Sequence, residues 1–327
     1  MSNWNKYLKY QIKYSDIYAV LSKGYTDLII YIDIAGISKG FYSTATINFE
    51  VTNYLENPNS LPTTFLVELQ GYLKLLYTKF QQYNPKFVLF YDQGVCKQNA
   101  DIDPSYKADR RGSEAHKKYL VESETLRVFK LLKSYYYDEI SNKFNINGYC
   151  YAIDLEEYES DLIPHYVRNK GLLKSDRDTT LNLILALDKD LIQTCTYDNV
   201  RMAASIYHKA KRKLDMQLLD REMGLVYLYP KFLRGILDAG HLPIILSLMG
   251  DKADNIKGLP QCGPARAIKL ATTHFSNTYE FNEQTVFPSA LISHKKMLIN
   301  NFKLTSFNEQ IKRLPSNICN KVDNILS

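Results

Sequence analysis

No pair of cysteines in this chain is spaced like a metal knuckle or a redox motif. Cys96, Cys150, Cys195, Cys262 and Cys319 are scattered, with no CxxC and no His/Cys cluster. That pattern argues against a zinc site and a disulfide framework and fits reduced thiols in a cytoplasmic protein. The stretch Met1-Ser2-Asn3-Trp4-Asn5-Lys6 has no apolar core of the signal-peptide kind. No apolar run approaches the ~18 residues of a membrane helix. Leu28 to Ile37, for example, is broken by Asp33. Internal repeats and low-complexity linkers are also lacking. The expectation is a cytoplasmic protein that does not engage a membrane. Neither sign of charge dominates: 41 Lys+Arg stand against 35 Asp+Glu, a formal net charge of +6. The mild positive balance is compatible with nucleic acid as a partner.

What is present in quantity is tyrosine, 26 residues. Tyrosine packs in cores and also stacks on bases, and composition leaves both roles open. Length suits one large domain or two closely joined ones. Residues 1–26 read as a polar, tyrosine-rich lead-in helix. Asp27-Leu28-Ile29-Ile30-Tyr31-Ile32-Asp33 is a continuous apolar run that ends in an acid, the pattern of a buried parallel strand. Residues 64–80 have helical periodicity, broken at Asn84-Pro85. Lys86-Phe87-Val88-Leu89-Phe90-Tyr91-Asp92 repeats the strand-then-acid pattern, and Leu181 to Leu187 repeats it again before Asp188 and Asp190. Strands alternating with helices predict an α/β fold with a mostly parallel central sheet and right-handed crossovers.

Three strands that each deliver a carboxylate to their C-terminal end place those acids where open parallel sheets bind ligands. A single such Asp would read as a helix N-cap. Further acids follow. Glu159 and Asp161 are two apart and converge only if Glu159 lies at a non-helical mouth. Asp251 and Asp254 are three apart and would share one face of a helix. Gly258 to Ala267 then reads as a glycine- and proline-bearing hairpin leading into a helix. Gly263 permits a positive φ or a close approach, and Pro264 suits the first helical position. The unpaired N–H groups of such a helix start suit phosphate. Of two basic runs, Ser105 to Lys118 reads by itself as a solvated helix face, and His208 to Lys213 reads equally as a solvated face or as a phosphate contact.

Asp33, Asp92, Glu159, Asp161, Asp188, Asp190, Asp251 and Asp254 form a carboxylate set that needs cations to remain ionised, because like charges raise each other's pKa. Carboxylate oxygens suit Mg²⁺ or Mn²⁺. No Ser/His/Asp triad or Cys/His pair accompanies these acids, which leaves metal-assisted hydrolysis at phosphorus as the chemistry to expect.

In order along the chain, Asp33, Asp92, Tyr106-Lys107-Ala108-Asp109-Arg110, Tyr158-Glu159-Ser160-Asp161, Asp188-Lys189-Asp190-Leu191 and Gly250-Asp251-Lys252-Ala253-Asp254-Asn255-Ile256 resemble the motifs of the 5′→3′ exonuclease/flap endonuclease family. The likeness is greatest to the stand-alone bacteriophage 5′ nucleases and the 5′ nuclease domain of bacterial DNA polymerase I, and it covers roughly residues 27–275. The resemblance implies a PIN-like nuclease core over 1–195, with a helical arch insertion at about 93–157. A helical region over 196–327 would carry a helix-hairpin-helix at about 245–275.

It further implies Asp33, Asp92, Glu159 and Asp161 at one metal ion. Asp188, Asp190 and Asp251 would hold a second, with Asp254 in support. Lys107 and Arg110 become the catalytic cations at the scissile phosphate. Tyr106, Arg111, Gly258, Gly263, Ala265 and Arg266 become DNA contacts. Implied cofactors are two Mg²⁺ ions, replaceable by Mn²⁺, and a K⁺ ion at the hairpin. Implied partners are DNA bearing a 5′ end, flap or nick, RNA–DNA hybrids, and replication proteins. The protein would act as a monomer in the cytoplasm, the host's if phage-encoded. A rival from another class is a catalytically weakened member that binds branched DNA without cutting it. Two positions depart from the family pattern: Leu162, where bacterial and phage relatives carry an Asp, and Gln261, where the hairpin carries a glycine.

Overall fold

The computed structural model describes residues 14–33, 53, 57, 63–91, 96–108, 150–155, 157–186, 188–208, 213–229 and 237–327. Helix α1 (Tyr14–Leu21) precedes strand β1 (Asp27–Asp33). Then come α2 (Thr63–Phe80), β2 (Lys86–Tyr91), the short α3 (Lys97–Ala100), β3 (Cys150–Asp154), α4 (Leu162–Lys170) and β4 (Thr180–Leu185). After a 3-10 segment at Lys189–Thr196 come β5 (Val200–His208), β6 (Lys213–Leu219) and α5 (Met223–Leu228). The chain continues through α6 (Leu242–Met249), β7 (Gly250–Asp251), β8 (Ile256–Lys257) and α7 (Pro264–His274). It ends with α8 (Lys295–Thr305), α9 (Phe307–Lys312) and α10 (Ser316–Leu326). Among the described residues no helix is long and apolar enough to cross a membrane.

Six strands form one sheet in the order β3-β2-β1-β4-β5-β6. All neighbours are parallel except β5 and β6, which are antiparallel. The architecture is the expected mostly parallel α/β sheet flanked by helices. Strands β5 and β6 carry it past residue 195, where the sequence reading ended the α/β core. Both central strands are buried on both faces, which is why they read as unbroken apolar runs. Side chains alternate between two cores. Leu28, Ile30 and Ile32 pack against Ile17, Leu21, Leu73, Leu76 and Phe80 of α1 and α2. Ile29 and Tyr31 face the larger core, shared with Ile163, Ile245, Ala267 and Phe302 of α4, α6, α7 and α8. Each fully buried Leu, Ile or Phe contributes roughly 1.5–3 kcal/mol. Leu162, 1 % exposed, belongs to this larger core, so a carboxylate at that position would be buried among apolar side chains.

Strand order reverses between β1 and β4, which creates a crevice at their C-terminal ends. Ile32 of β1 lies beside Leu185 of β4, so Asp33 and the residues after β4 flank that crevice.

The segment bearing Asp251 and Asp254 differs from expectation. It is a tight hairpin, not a helix: β7 pairs antiparallel with β8, and Asp254 sits in the turn between them. The reason is local. Gly250 has φ +78°, and the backbone of Gly258 presses so closely on Met249 that a Cβ there would lie 2.1 Å from the Met249 carbonyl carbon. An α-helix accommodates neither feature. Downstream, Pro264 takes the first turn of α7 as expected, and Gly263 is its N-cap. Gly263 is extended, with φ −86°, and needs no glycine; the left-handed residue is Gln261, with φ +54°. The turn therefore forms despite the missing glycine, at a cost of about 1 kcal/mol for a side chain in that region. Gln261→Gly is expected to raise stability by up to about 1 kcal/mol in urea unfolding. An unchanged or lower midpoint would show that the turn is unstrained.

Candidate active site

Four segments meet at the crevice. The first is the end of β1, where Asp33 is buried. The second is the 3-10 segment after β4, where Asp188 caps the turn by accepting a hydrogen bond from the Asp190 amide at 2.9 Å. The plain cap reading of that acid is thus also true. The third is the β7–β8 hairpin, in which Asp251 accepts from the Ala253 amide at 2.9 Å. One carboxylate oxygen from each of Asp190, Asp251 and Asp254 lies within 4.8 Å of the others. Crowding has the expected electrostatic effect. Burial first, and the Asp188 carboxylate second, push the Asp190 carboxyl up to about 7.

The fourth segment, Asp103 to Ala108, docks on that hairpin. The Lys107 amide donates to the Asp254 carbonyl at 2.9 Å, and the Asn255 side-chain amide donates to the Ser105 carbonyl at 2.9 Å. Lys107 and Asn255 both adopt left-handed backbone, φ +51° and +59°, to make this join. The Lys107 ammonium reaches Glu159 Oε1 at 2.7 Å, with both side chains more than 90 % buried. The Tyr106 hydroxyl also contacts Glu159, at 3.0 Å, and Asp254 at 3.3 Å. One lysine and one tyrosine thus connect the acid at the mouth of α4 to the three-acid cluster. Glu159 is non-helical.

A second cation, which sequence reasoning did not select, sits in the cluster itself. The Lys189 ammonium lies 2.5 Å from Asp251 Oδ2 and 3.1 Å from Asp190 Oδ1. Burial alone would lower its pKa, but Asp190 and Asp251 outweigh that and hold it above the usual lysine range. The signal lay in the Asp188-Lys189-Asp190 triplet, whose middle residue is the only cation in it.

Of the residues singled out from sequence, Glu159, Lys107, Tyr106, Asp254, Asp190 and Asp251 form one connected group. Asp188 adjoins it through Asp190. Tyr106 is 3 % exposed and packed with Cys96, Ile256 and Leu304. Asp161 occupies the N-cap position of α4 without a side-chain cap bond. Asp92, Arg110 and Arg111 lie outside the described residues, as does most of the expected arch. Gly258 is committed to hairpin packing. Gly263, Ala265 and Arg266 are exposed at the start of α7, and Lys257 of β8 and Lys269 of α7 are exposed as well. Arg266 donates to the Pro260 carbonyl at 3.1 Å, which closes the turn onto the helix.

A T5 5′-exonuclease with bound zinc superposes over 92 % of this chain and 100 % of its own, with a TM-score of 0.59 at 15 % identity. The bacteriophage T5 D15 flap endonuclease, in a pseudo-enzyme–product complex with DNA and metal ions, covers 91 % and 97 %, with a TM-score of 0.57 at 15 % identity. The fold is that of the T5 5′ nucleases. No family model and no curated protein matches this chain by sequence.

The acid cluster of this 5′-nuclease fold suits a divalent ion. Its three donors are carboxylate oxygens, the hard ligands that Mg²⁺ and Mn²⁺ prefer, and an ammonium group already bridges two of them. Lys189 is then a tethered competitor for that ion. In chelator, Lys189→Met is expected to lower stability by about 1 kcal/mol, because solvent reaches the lysine, 36 % exposed, and screens the pair in part. In the same variant, Mn²⁺ binding measured by calorimetry should tighten by about tenfold. Weaker Mn²⁺ binding would mean that Lys189 supports the ion instead of opposing it.

Proposed function

We propose that this protein is a divalent-metal-dependent, structure-specific 5′ nuclease. It would hydrolyse phosphodiester bonds at 5′ ends or flaps of DNA, or in RNA primers paired with DNA. The observation that carries this reading is the buried Lys107–Glu159 pair, joined through Tyr106 to Asp254 and so to the Asp190–Asp251 cluster, at the switch point of a parallel sheet. Phosphoryl transfer needs both elements: acids to hold cations, and a positioned positive charge for the charge that develops on phosphate.

Asp190, Asp251 and Asp254 would hold one ion. Glu159 and Asp161, with Asp33 and Asp92, would hold the other. When bound, such ions act as Lewis acids and lower the pKa of water at the reacting phosphate. The protein's own share is charge and position. Lys107 brings an ammonium beside Glu159, and Arg110 is the second cation of this reading. The exposed start of α7, with Ala265, Arg266 and its unpaired amides, would grip a duplex phosphate without regard to sequence, with K⁺ as an aid. Division of labour follows: the sheet edge cuts, and the α6–hairpin–α7 unit sets the distance to the duplex. The T5 enzyme of the same fold has been seen with DNA and metal ions, which supports the choice of substrate.

On a 5′-labelled flap with Mg²⁺, Lys107→Ala and Asp190→Asn should each lower kcat/KM by at least about a hundredfold. Product mapping on flap, nicked and RNA–DNA substrates side by side assigns the preference. Unchanged cleavage by either variant would remove this mechanism. Lys189, which fills part of the acid cluster, favours one alternative: a branched-DNA-binding module that has lost cutting. Calorimetry separates the two, since a module would bind flap DNA without taking up Mg²⁺ or Mn²⁺.

A further inference from the structure

The corner between α8 and α9 buries an unusual run of polar side chains. Asn301, Thr305, Ser306 and Gln310 are each less than 8 % exposed, and none belongs to the acid site. Buried polar groups need partners, and here the partners lie on the segments that carry the site. Asn301 donates to the carbonyl of Ser247 in α6, at 3.0 Å, and to that of Lys257 in β8, at 2.8 Å, and so ties the helix that leads into the hairpin bearing Asp251 and Asp254 to the strand that leaves it. Gln193, three residues beyond Asp190, donates to the Thr305 carbonyl at 3.1 Å and accepts from the Phe307 amide at 2.8 Å.

The third connection runs to α3, which leads into Tyr106 and Lys107. Gln98 donates to the Gln310 carbonyl at 2.8 Å, and fully buried Asn99 donates to Gln310 Oε1 at 3.2 Å. Arg313 donates to Asn99 Oδ1 at 3.2 Å, to the Gln98 carbonyl at 3.3 Å and, within the corner, to the Lys303 carbonyl at 2.6 Å. Leu304 completes the join by packing against Cys96, Tyr106 and Ile256.

We propose that the α8–α9 corner is the strut that sets the spacing of the site, and that Gln310 and Arg313 are positioning residues for Lys107. Neither acts on the substrate. They hold α3, and through it the Tyr106–Lys107 turn, at a fixed offset from the Asp190 segment and the Asp251 hairpin, which the same corner holds through Gln193 and Asn301. Arg313 adds a charged donor to this hold, and Gln310 adds the shortest bond to α3, 2.8 Å from Gln98.

Cys96, buried at the start of α3, reports on the strut without requiring any catalytic activity. Cys195, fully buried beneath the sheet, reports on global opening. Native full-length protein is alkylated and the labelled peptides are quantified by mass spectrometry. In Arg313→Ala and Gln310→Ala, Cys96 should label at least about tenfold faster while Cys195 is unchanged, and Arg313→Lys should fall between. Unchanged Cys96 labelling, or equal acceleration of both cysteines, overturns the strut.

A second arm rests on the nuclease reading. With flap DNA, Arg313→Ala should lower kcat about tenfold and leave KM within about threefold, because Lys107 is displaced while the duplex grip is intact. Faster Cys96 labelling with an unchanged kcat overturns the positioning role. A wild-type protein that cuts no DNA overturns the nuclease reading, and the labelling result still judges the strut.

Discussion

Repulsion among carboxylates is the constraint on which this structure turns. Asp188, Asp190, Asp251 and Asp254 come from two distant parts of the chain and converge at the crevice between β1 and β4. Like charges at such distances oppose folding unless cations intervene. The protein supplies two of its own. Lys107 meets Glu159 on one side of the crevice, and Lys189 meets Asp251 and Asp190 on the other. These two ion pairs differ in kind. The Lys107 pair is buried and anchored by left-handed backbone and by bonds to the hairpin, so it is a fixed part of the frame. In the Lys189 pair the lysine is 36 % exposed on a long flexible stem against a buried Asp251, which makes it the cation that an arriving metal ion can displace.

The rest of the fold serves to hold the acids against that repulsion. Two apolar cores clamp the central strands from both faces, and the larger one includes the C-terminal helices. Directional control comes from the buried amides of the α8–α9 corner, because apolar packing alone tolerates small slides that hydrogen bonds do not. Site precision in this protein is therefore built from residues far along the chain from the acids. That arrangement explains why a C-terminal region without a chemical signature of its own carries so many buried polar side chains.

Much of this was legible in the sequence, for a local reason. β1, β2 and β4 are buried on both faces and so write unbroken apolar runs, each followed by an acid. α2 writes its period, and Pro264 marks the start of α7. The glycine that Gln261 replaces was legible as well, since the observed φ is the one a glycine would have taken. What failed to show was decided by long-range contacts. The Asp251–Asp254 spacing suits a helix, and the left-handed Gly250 with the close approach of Gly258 to Met249, a pairing that the spacing of the acids does not reveal, makes it a hairpin. Tyr106 enters the sequence reading only through its motif, and its enclosure by Cys96, Ile256 and Leu304 depends on segments far apart in the chain. The role of Lys189 depends on the hairpin that brings Asp251 to it from sixty-two residues further along the chain.

The central claim is that the acid cluster is a divalent-cation site held in readiness by Lys189. Crystals of the wild-type protein soaked in Mn²⁺ test it most directly, by anomalous diffraction. The account predicts an anomalous peak coordinated by Asp190, Asp251 and Asp254, with the Lys189 ammonium moved off Asp251. A cluster without a peak, with Lys189 still bridging Asp251 and Asp190 at saturating Mn²⁺, would contradict it.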